Sequence, residues 1–205
     1  VTGTGRARGE PDLATLNVGV NIADESISEA VEESNRTIAE ITAAIQEHGV
    51  EPADIQTTNF GIWAEEQWDP ETGQRLPDRL YRVDSTVQIN VREVDRVGEI
   101  LEASIQAGAN NIYGLTFGLQ DSSDLVAKAR EAAIADAEAK AASIAEALGL
   151  ELGQVVTVVD ITGDFVSPVF ESAAMGVGGG AGEPPISEGA MSVSASVQIS
   201  FEIVR

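Results

Sequence analysis

The sequence predicts an α+β fold in which three helices pack on one face of a largely antiparallel sheet, with a long β-hairpin extension. Some segments alternate apolar and polar residues, the period of a half-buried strand, and others repeat apolar residues every three and four positions, the period of a helix. Two of the strands follow one another as a hairpin, which makes them antiparallel. The 205 residues have neutral mean hydropathy and suffice for one substantial core, so we expect a single domain over residues 1–205.

The N-terminal half begins with strands and a capped helix. The opening VTGTGRARG is glycine-rich but lacks the helix start and the Lys-Ser or Lys-Thr pair of a phosphate loop, which favours a glycine-tolerant edge strand. Alternation from Leu16 to Ile22 predicts the next strand. Ser26 and Glu29 have the spacing of a capping box, so a helix is expected from there to Gly49.

A long hairpin is predicted over residues 55–92. Strand character runs from Ile55 to Trp68, the segment DPETGQRLPD supplies Pro and Gly for a turn, and alternation resumes from Val83 to Val91. A short helix follows from about Asp95 to Ala107, with Val97, Ile100, Leu101 and Ile105 expected to face inward.

The C-terminal half is predicted to hold three further strands and the longest helix. Ile112–Leu119 alternates as a strand, and an alanine-rich helix extends from Ser122 or Ser123 to Gly149. Its small side chains allow close approach to a sheet or a partner helix. The apolar run from Val155 to Ile161 predicts a buried strand, residues 163–189 a flexible Gly/Pro-rich loop, and Val193–Ile203 a final strand.

The charge balance excludes one class of partner and indicates an environment. With 34 acidic and 12 basic residues, the formal net charge is -22, and no basic stripe exists to bind nucleic acid. Only Lys128 and Lys140 are lysines. An acidic, lysine-poor surface is typical of a protein that works in concentrated salt, where screening removes the repulsion between its own negative charges. We therefore expect a halophilic source.

Catalytic and metal-binding motifs are weak throughout the sequence. Cysteine is absent. The single histidine, His48, stands at a predicted helix C-terminus, where an imidazole interacts favourably with the helix dipole. A hairpin cluster of carboxylates could bind a hard cation but lacks the spacing of a calcium loop; its members are Glu65, Glu66, Asp69 and Glu71. We therefore favour a non-enzymatic protein without a cofactor. The alternative is a small-ligand or divalent-metal binding module, or a metal-dependent enzyme, with a site between the acidic hairpin and the Gly-rich loop.

Several segments, taken in their order along the chain, resemble the SIMPL-domain family of mostly exported bacterial and archaeal proteins, which includes a periplasmic immunogenic antigen. The resemblance covers nearly the whole chain; its segments are VTGTGRA, IQTTNFGI, VREVDRVGEILEASIQAGANNIYGLTFGLQD, AREAAIADAEAKAASIAEALGLELGQVV and VSASVQISFEI. One departure is Leu80-Tyr81, where the family usually has a glycine-aromatic pair. The resemblance implies an α+β domain, an extracytoplasmic location and, in some members, ring-like or barrel-like homo-oligomers. It supplies no catalytic residues.

The hairpin aromatics are the residues that we expect at a subunit contact. Both tryptophans of this aromatic-poor chain lie in the predicted hairpin, and tryptophan is enriched at surfaces that a partner buries. The predicted contact residues are Trp63, Trp68, Phe60 and Tyr81.

The function predicted from the sequence is therefore that of a non-enzymatic, extracytoplasmic, self-assembling protein, possessing an envelope or stress-related role. No apolar run approaches the length of a membrane helix. The first residue is Val1 rather than Met, which is consistent with an export or anchoring segment that this chain does not include.

Overall fold

The computed structural model describes residues 1–69, 71–161, 166–169 and 187–204, with backbone only for residues 76–78 and 166–169. Eight strands and three α-helices occur in these residues. The strands are β1 (Thr2–Gly9), β2 (Leu13–Asp24), β3 (Ile55–Trp68), β4 (Arg75–Val91), β5 (Asn111–Gly118), β6 (Glu151–Asp160), β7 (Val166–Val169) and β8 (Ala190–Val204). The helices are α1 (Ile27–Glu47), α2 (Val97–Gln106) and α3 (Ser123–Ala147).

The α+β class and the antiparallel pairing are confirmed, but the strands form two sheets rather than one. One sheet has the order β1-β8-β6, with β7 also paired to β8, and the other has the order β3-β4-β2-β5. Contacts divide the chain into two compact units that match these sheets. Local alternation shows which side chains face a helix but not which strands pair, since β1 and β8 come from opposite ends of the chain. One domain over residues 1–205 stays a prediction.

The first unit consists of β1, β6, β7, β8 and α3, and alanine packing holds α3 on its sheet. Every fourth residue along the middle of α3 is a buried alanine, and these alanines pack with Val193, Val197 and Ile199 of β8. A Cβ at Gly5 of β1 would overlap the carbonyl oxygen of Ala129 on α3. The glycines of β1 and the alanines of α3 therefore let the two backbones approach closely, as the predicted role of the alanines requires.

The second unit follows the order β2-α1-β3-β4-α2-β5, a split βαβ arrangement. Helices α1 and α2 pack on this sheet, and its core joins β2, β4 and both helices. The largest fully buried side chains in the core are Leu16, Ile41, Ile45, Ile89 and Ile100. Within the described residues, no helix is both long enough and apolar enough to cross a bilayer.

Two helix starts use an aspartate that precedes the helix. Ser26 is the N-cap of α1 and accepts from the Glu29 N–H at 3.5 Å, as expected. The predicted return bond from Glu29 is replaced, because the Ser26 N–H donates to Asp24 at 2.7 Å. At α3, Asp121 accepts from the Ser123 N–H at 2.8 Å. An aspartate two or three residues before the first helical residue therefore accepts from an N–H group that has no partner within the helix.

Three predictions about burial and order are corrected or fall elsewhere. Ile105 of α2 is exposed rather than inward, because the buried face of the helix contains Val97, Ile100 and Ser104, and Ile105 is one position further round the helix. The strand predicted as buried, β6, is exposed and is an edge strand among those that the structure describes. In the predicted loop 163–189, residues 166–169 form β7, and the rest of the flexibility prediction lies outside the described residues apart from 187–189.

Candidate functional site: the hairpin arm

The β3–β4 hairpin continues past the rest of its sheet. Strand β2 ends at Asp24, which lies opposite Tyr81 of β4. Beyond that point β3 is the only described strand that pairs with β4, from the Glu65–Leu80 pair to the Trp68–Arg75 pair. We call residues 65–68 and 75–80 the hairpin arm. A two-stranded ribbon is marginally stable by itself in water, so the arm depends on its turn, its ion pairs or a partner.

The turn of the arm is organised by Asp69. Its carboxylate accepts from the N–H groups of Glu71 at 2.8 Å and Thr72 at 3.1 Å. Its backbone carbonyl accepts from Gly73, whose φ of 65° lies in the left-handed region that glycine favours. The two backbone hydrogen bonds from Thr72 and Glu71 lower the pKa of Asp69 below its ordinary value.

Ion pairs account for two of the other hairpin carboxylates. Glu65 pairs with Arg82, whose second nitrogen donates to Asn21 of β2 at 3.0 Å. Glu66 pairs with Arg75 across the arm at 3.1 Å. Exposed pairs of this kind contribute about 0.2–1 kcal/mol each and fix register more than stability. Among the described residues, no group of three His, Cys, Asp or Glu side chains is arranged to hold a metal ion.

The predicted contact aromatics lie along β3 and at the neck of the arm. Phe60, Trp63 and Trp68 are 51%, 45% and 59% exposed, and Tyr81 is half-buried. They do not form one cluster, because Phe60 and Trp63 are an odd number of residues apart on a strand and point to opposite faces. Trp63 lies opposite Arg82 and Trp68 opposite Arg75. The tryptophans therefore leave large apolar surface in water on an edge strand.

Sequence reasoning missed a second polar cluster, beside His48. A cleft of about 150 Å³ between the end of α1 and the end of β4 contains Asp54, Arg92 and Arg96. Asp54 is buried and accepts two hydrogen bonds from Arg92, at 2.7 and 2.8 Å. The Arg92 hydrogen bond lowers the pKa of Asp54 and raises that of Arg92. No motif marks this pair in the sequence, since its partners are separated by 38 residues.

His48 itself has the structural position that the sequence predicts. It is the C-cap residue of α1, and its Nδ1 lies 3.9 Å from a carboxylate oxygen of Glu99. Arg96 lies between the same Glu99, at 3.4 Å, and Glu93, at 3.3 Å. Asp54 and Arg92 therefore form one pair and Arg96 is shared by two glutamates, while His48 links the end of α1 to Glu99 of α2.

Comparison with known proteins gives the family of the chain. The family described as SIMPL, protein of unknown function (DUF541), matches residues 1–201. The 26 kDa periplasmic immunogenic protein of Brucella melitensis is 30% identical over 99% of this chain and 83% of its own length. Proteins named YggE, uncharacterized, from Edwardsiella ictaluri and Escherichia coli are 28% and 27% identical over 77% of this chain and cover 65% and 63% of their own lengths. The chain belongs to the SIMPL family.

Proposed function

We propose that this protein is a non-enzymatic, extracytoplasmic protein that self-assembles into a homo-oligomer through its hairpin arm. The observation that carries the proposal is the arm itself, a two-stranded ribbon that contains Trp68 and follows shortly after Trp63 on β3, with both tryptophans about half exposed. Tryptophan side chains contribute the largest single contacts when a partner covers them. An extracytoplasmic location is supported by the similarity to a relative named periplasmic.

Assembly must overcome the charge of the chain. Two copies with a formal net charge of -22 repel each other unless salt screens them. The Debye length falls from about 10 Å at 0.1 M to about 3 Å at 1 M ionic strength, so concentrated salt removes most of this repulsion. This supports a halophilic source for the chain and an assembly that forms at high salt. We include an envelope or stress-related role in this proposal.

The test is the molar mass in solution, measured by light scattering after gel filtration at multimolar and at low salt. A discrete oligomer in high salt supports self-assembly, and a monomer in every condition contradicts it. Titration with calcium and manganese tests the alternative, a small-ligand or divalent-metal module or metal-dependent enzyme between the hairpin and the Gly-rich loop. Tight stoichiometric binding that persists in high salt would favour that alternative, whereas ion-paired carboxylates of the arm predict weak binding.

A further inference from the structure

Strand β6 has an exposed apolar edge that no other described strand of its unit pairs with. In the described part of the chain β6 pairs with β8 on one side only. Every residue from Val155 to Ile161 is exposed, and Val156 and Val158 are 61% and 57% exposed. The other branched aliphatic residues of this segment, each about half exposed, are Val155, Val159 and Ile161. A run with the composition of a central, buried strand therefore lies at the rim of its sheet.

Among the described strands, none lies beside β6 on the side away from β8. The Ile161 N–H donates to the Ser196 carbonyl at 2.9 Å, and the register with β8 is regular from Thr157 to Asp160. Because backbone groups alternate between the two sides of a strand, those of Thr157, Val159 and Ile161 face β8 and those of Val158 face away from it. Charged residues and proline, which block edge pairing in other proteins, are absent from residues 152–159.

The sequence of the edge is self-complementary. Val155-Val156-Thr157-Val158-Val159 reads the same in both directions. An antiparallel pair of two such strands, centred on Thr157, places threonine opposite threonine and valine opposite valine. Cross-strand pairs of β-branched residues and of threonines stabilise a sheet. The same register sets Asp160 opposite Gln154, so no carboxylate meets another there.

We propose that β6 pairs with β6 of a second copy of this chain, antiparallel about a twofold axis at Thr157, and joins two sheets into one. A second copy is the occupant that the symmetric sequence fits, since an unrelated extended peptide gains nothing from the symmetry. The uncharged strand is also a place where two chains of net charge -22 approach with little local repulsion. This inference rests on the proposed self-assembly and adds a second contact to it. Two different contacts per chain permit assemblies larger than a dimer.

A disulfide trap tests the register directly, because the chain contains no cysteine. Directly opposite residues at a twofold axis in a non-hydrogen-bonded pair have Cα atoms about 4.5 Å apart, within the range that a disulfide bridges. Mild oxidation of Thr157→Cys in high salt is expected to give mostly covalent dimer on a non-reducing gel. The matched control is Val159→Cys, which lies opposite Val155 of the second copy and is expected to stay monomeric. Equal crosslinking of both variants would reflect random collision and would overturn the proposal.

Two edge variants test the contribution of β6 to the assembly. Val158→Pro removes only an outward N–H, so the pairing with β8 is retained, and Val158→Lys adds an edge charge while lowering the net negative charge. Both variants are expected to reduce the molar mass of the high-salt assembly. The melting temperature of the separated chains is expected to stay unchanged. The control is Ile105→Lys, which makes the same charge change at an exposed position of α2 and is expected to leave the mass of the assembly unchanged.

The outcomes separate this inference from the proposed function. A wild-type monomer at every salt concentration overturns self-assembly and this contact with it. A wild-type oligomer that keeps its mass in both Val158 variants, with no Thr157→Cys disulfide, overturns the β6 contact alone and leaves the hairpin arm as the interface. Loss of mass together with a Thr157-specific disulfide supports both.

Discussion

At the scale of single residues, the glycines of β1 determine how closely α3 lies to its sheet. A Cβ at Gly5 would overlap the carbonyl oxygen of Ala129 and crowd the neighbouring turn at Ala133, and Gly3 is placed in the same way against the next turn of α3. Backbone atoms cannot swing aside as a side chain can. The match of glycine on a strand with alanine on a helix is therefore a packing requirement of the first unit.

Gly5→Ala is expected to destabilise the protein by about 1–3 kcal/mol or more, because the helix must move away from the sheet. The measurement is thermal unfolding in high salt, where each kcal/mol lowers the melting temperature by roughly 2–4 °C for a chain of this size. The control is Gly98→Ala in α2, where a Cβ meets nothing within 4 Å. That control is expected to stabilise the helix by about 0.5–1 kcal/mol, and equal losses in both variants would contradict this account.

The buried carboxylate of Asp54 gives the second prediction at this scale. Asp54→Asn is expected to destabilise the protein by about 1.5–3 kcal/mol, since the neutral amide can accept only one of the two Arg92 hydrogen bonds and its NH2 group then faces the other arginine donor. Glu66→Gln, which removes the exposed pair with Arg75, is the control and is expected to cost less than about 1 kcal/mol. Urea unfolding at neutral pH measures both.

The pH dependence of stability follows from the same carboxylate. Its hydrogen bonds to Arg92 lower the pKa of Asp54 below the ordinary value of 3.8, so the unfolded chain binds this proton more tightly than the folded chain. The stabilisation is complete well above pH 3.8 and is lost as the pH falls through 3.8 and then through the folded value. Asp54→Asn is expected to have a shallower loss of stability in that acidic range. An unchanged slope would show that Asp54 does not contribute.

At the scale of elements, the hairpin arm is the feature that the proposed assembly needs. Trp68→Ala is expected to lower the mass of the high-salt oligomer, because a covered tryptophan at an interface contributes about 2 kcal/mol or more. Tryptophan emission is expected to shift when the oligomer dissociates, because the ring then becomes exposed to water. Tyr113→Ala, an exposed aromatic on β5 of the same sheet, is the control and is expected to leave the mass unchanged. Unchanged mass and emission in Trp68→Ala would remove the arm from the interface.

Most elements can be predicted from the sequence because local chemistry determines them. Ser26 begins α1, the glycine at each helix end has positive φ, and alternation marks β2 and β4. Strand pairing cannot be predicted in this way, because β1 and β8 meet across nearly the whole chain. The division into two sheets is a consequence of that long-range pairing.

The burial of β6 and the Asp54–Arg92 pair could not be predicted from local sequence either. A run of valines has the same pattern in the middle of a sheet and at its edge, so periodicity predicted burial for β6 where the structure shows exposure. Asp54 and Arg92 are ordinary surface residue types, and only the fold brings them together. The hairpin aromatics, by contrast, were predictable as candidates from composition, because both tryptophans fall in one segment.

At the scale of the whole molecule, the balance between acidic surface and apolar contacts determines when copies associate. The chain has 34 acidic residues, yet the β6 edge and the tryptophans of β3 present apolar surface. Apolar contacts strengthen with salts that are excluded from protein surface, and charge repulsion weakens with salt of any kind. Both effects predict that association increases with salt concentration.

The most direct test of the self-assembly claim is the absolute molar mass of the wild-type chain, measured by light scattering after gel filtration from multimolar to millimolar salt. We expect a discrete oligomer in high salt that dissociates as salt is withdrawn. A chain that stays at the 21.4 kDa of the monomer throughout would contradict the claim.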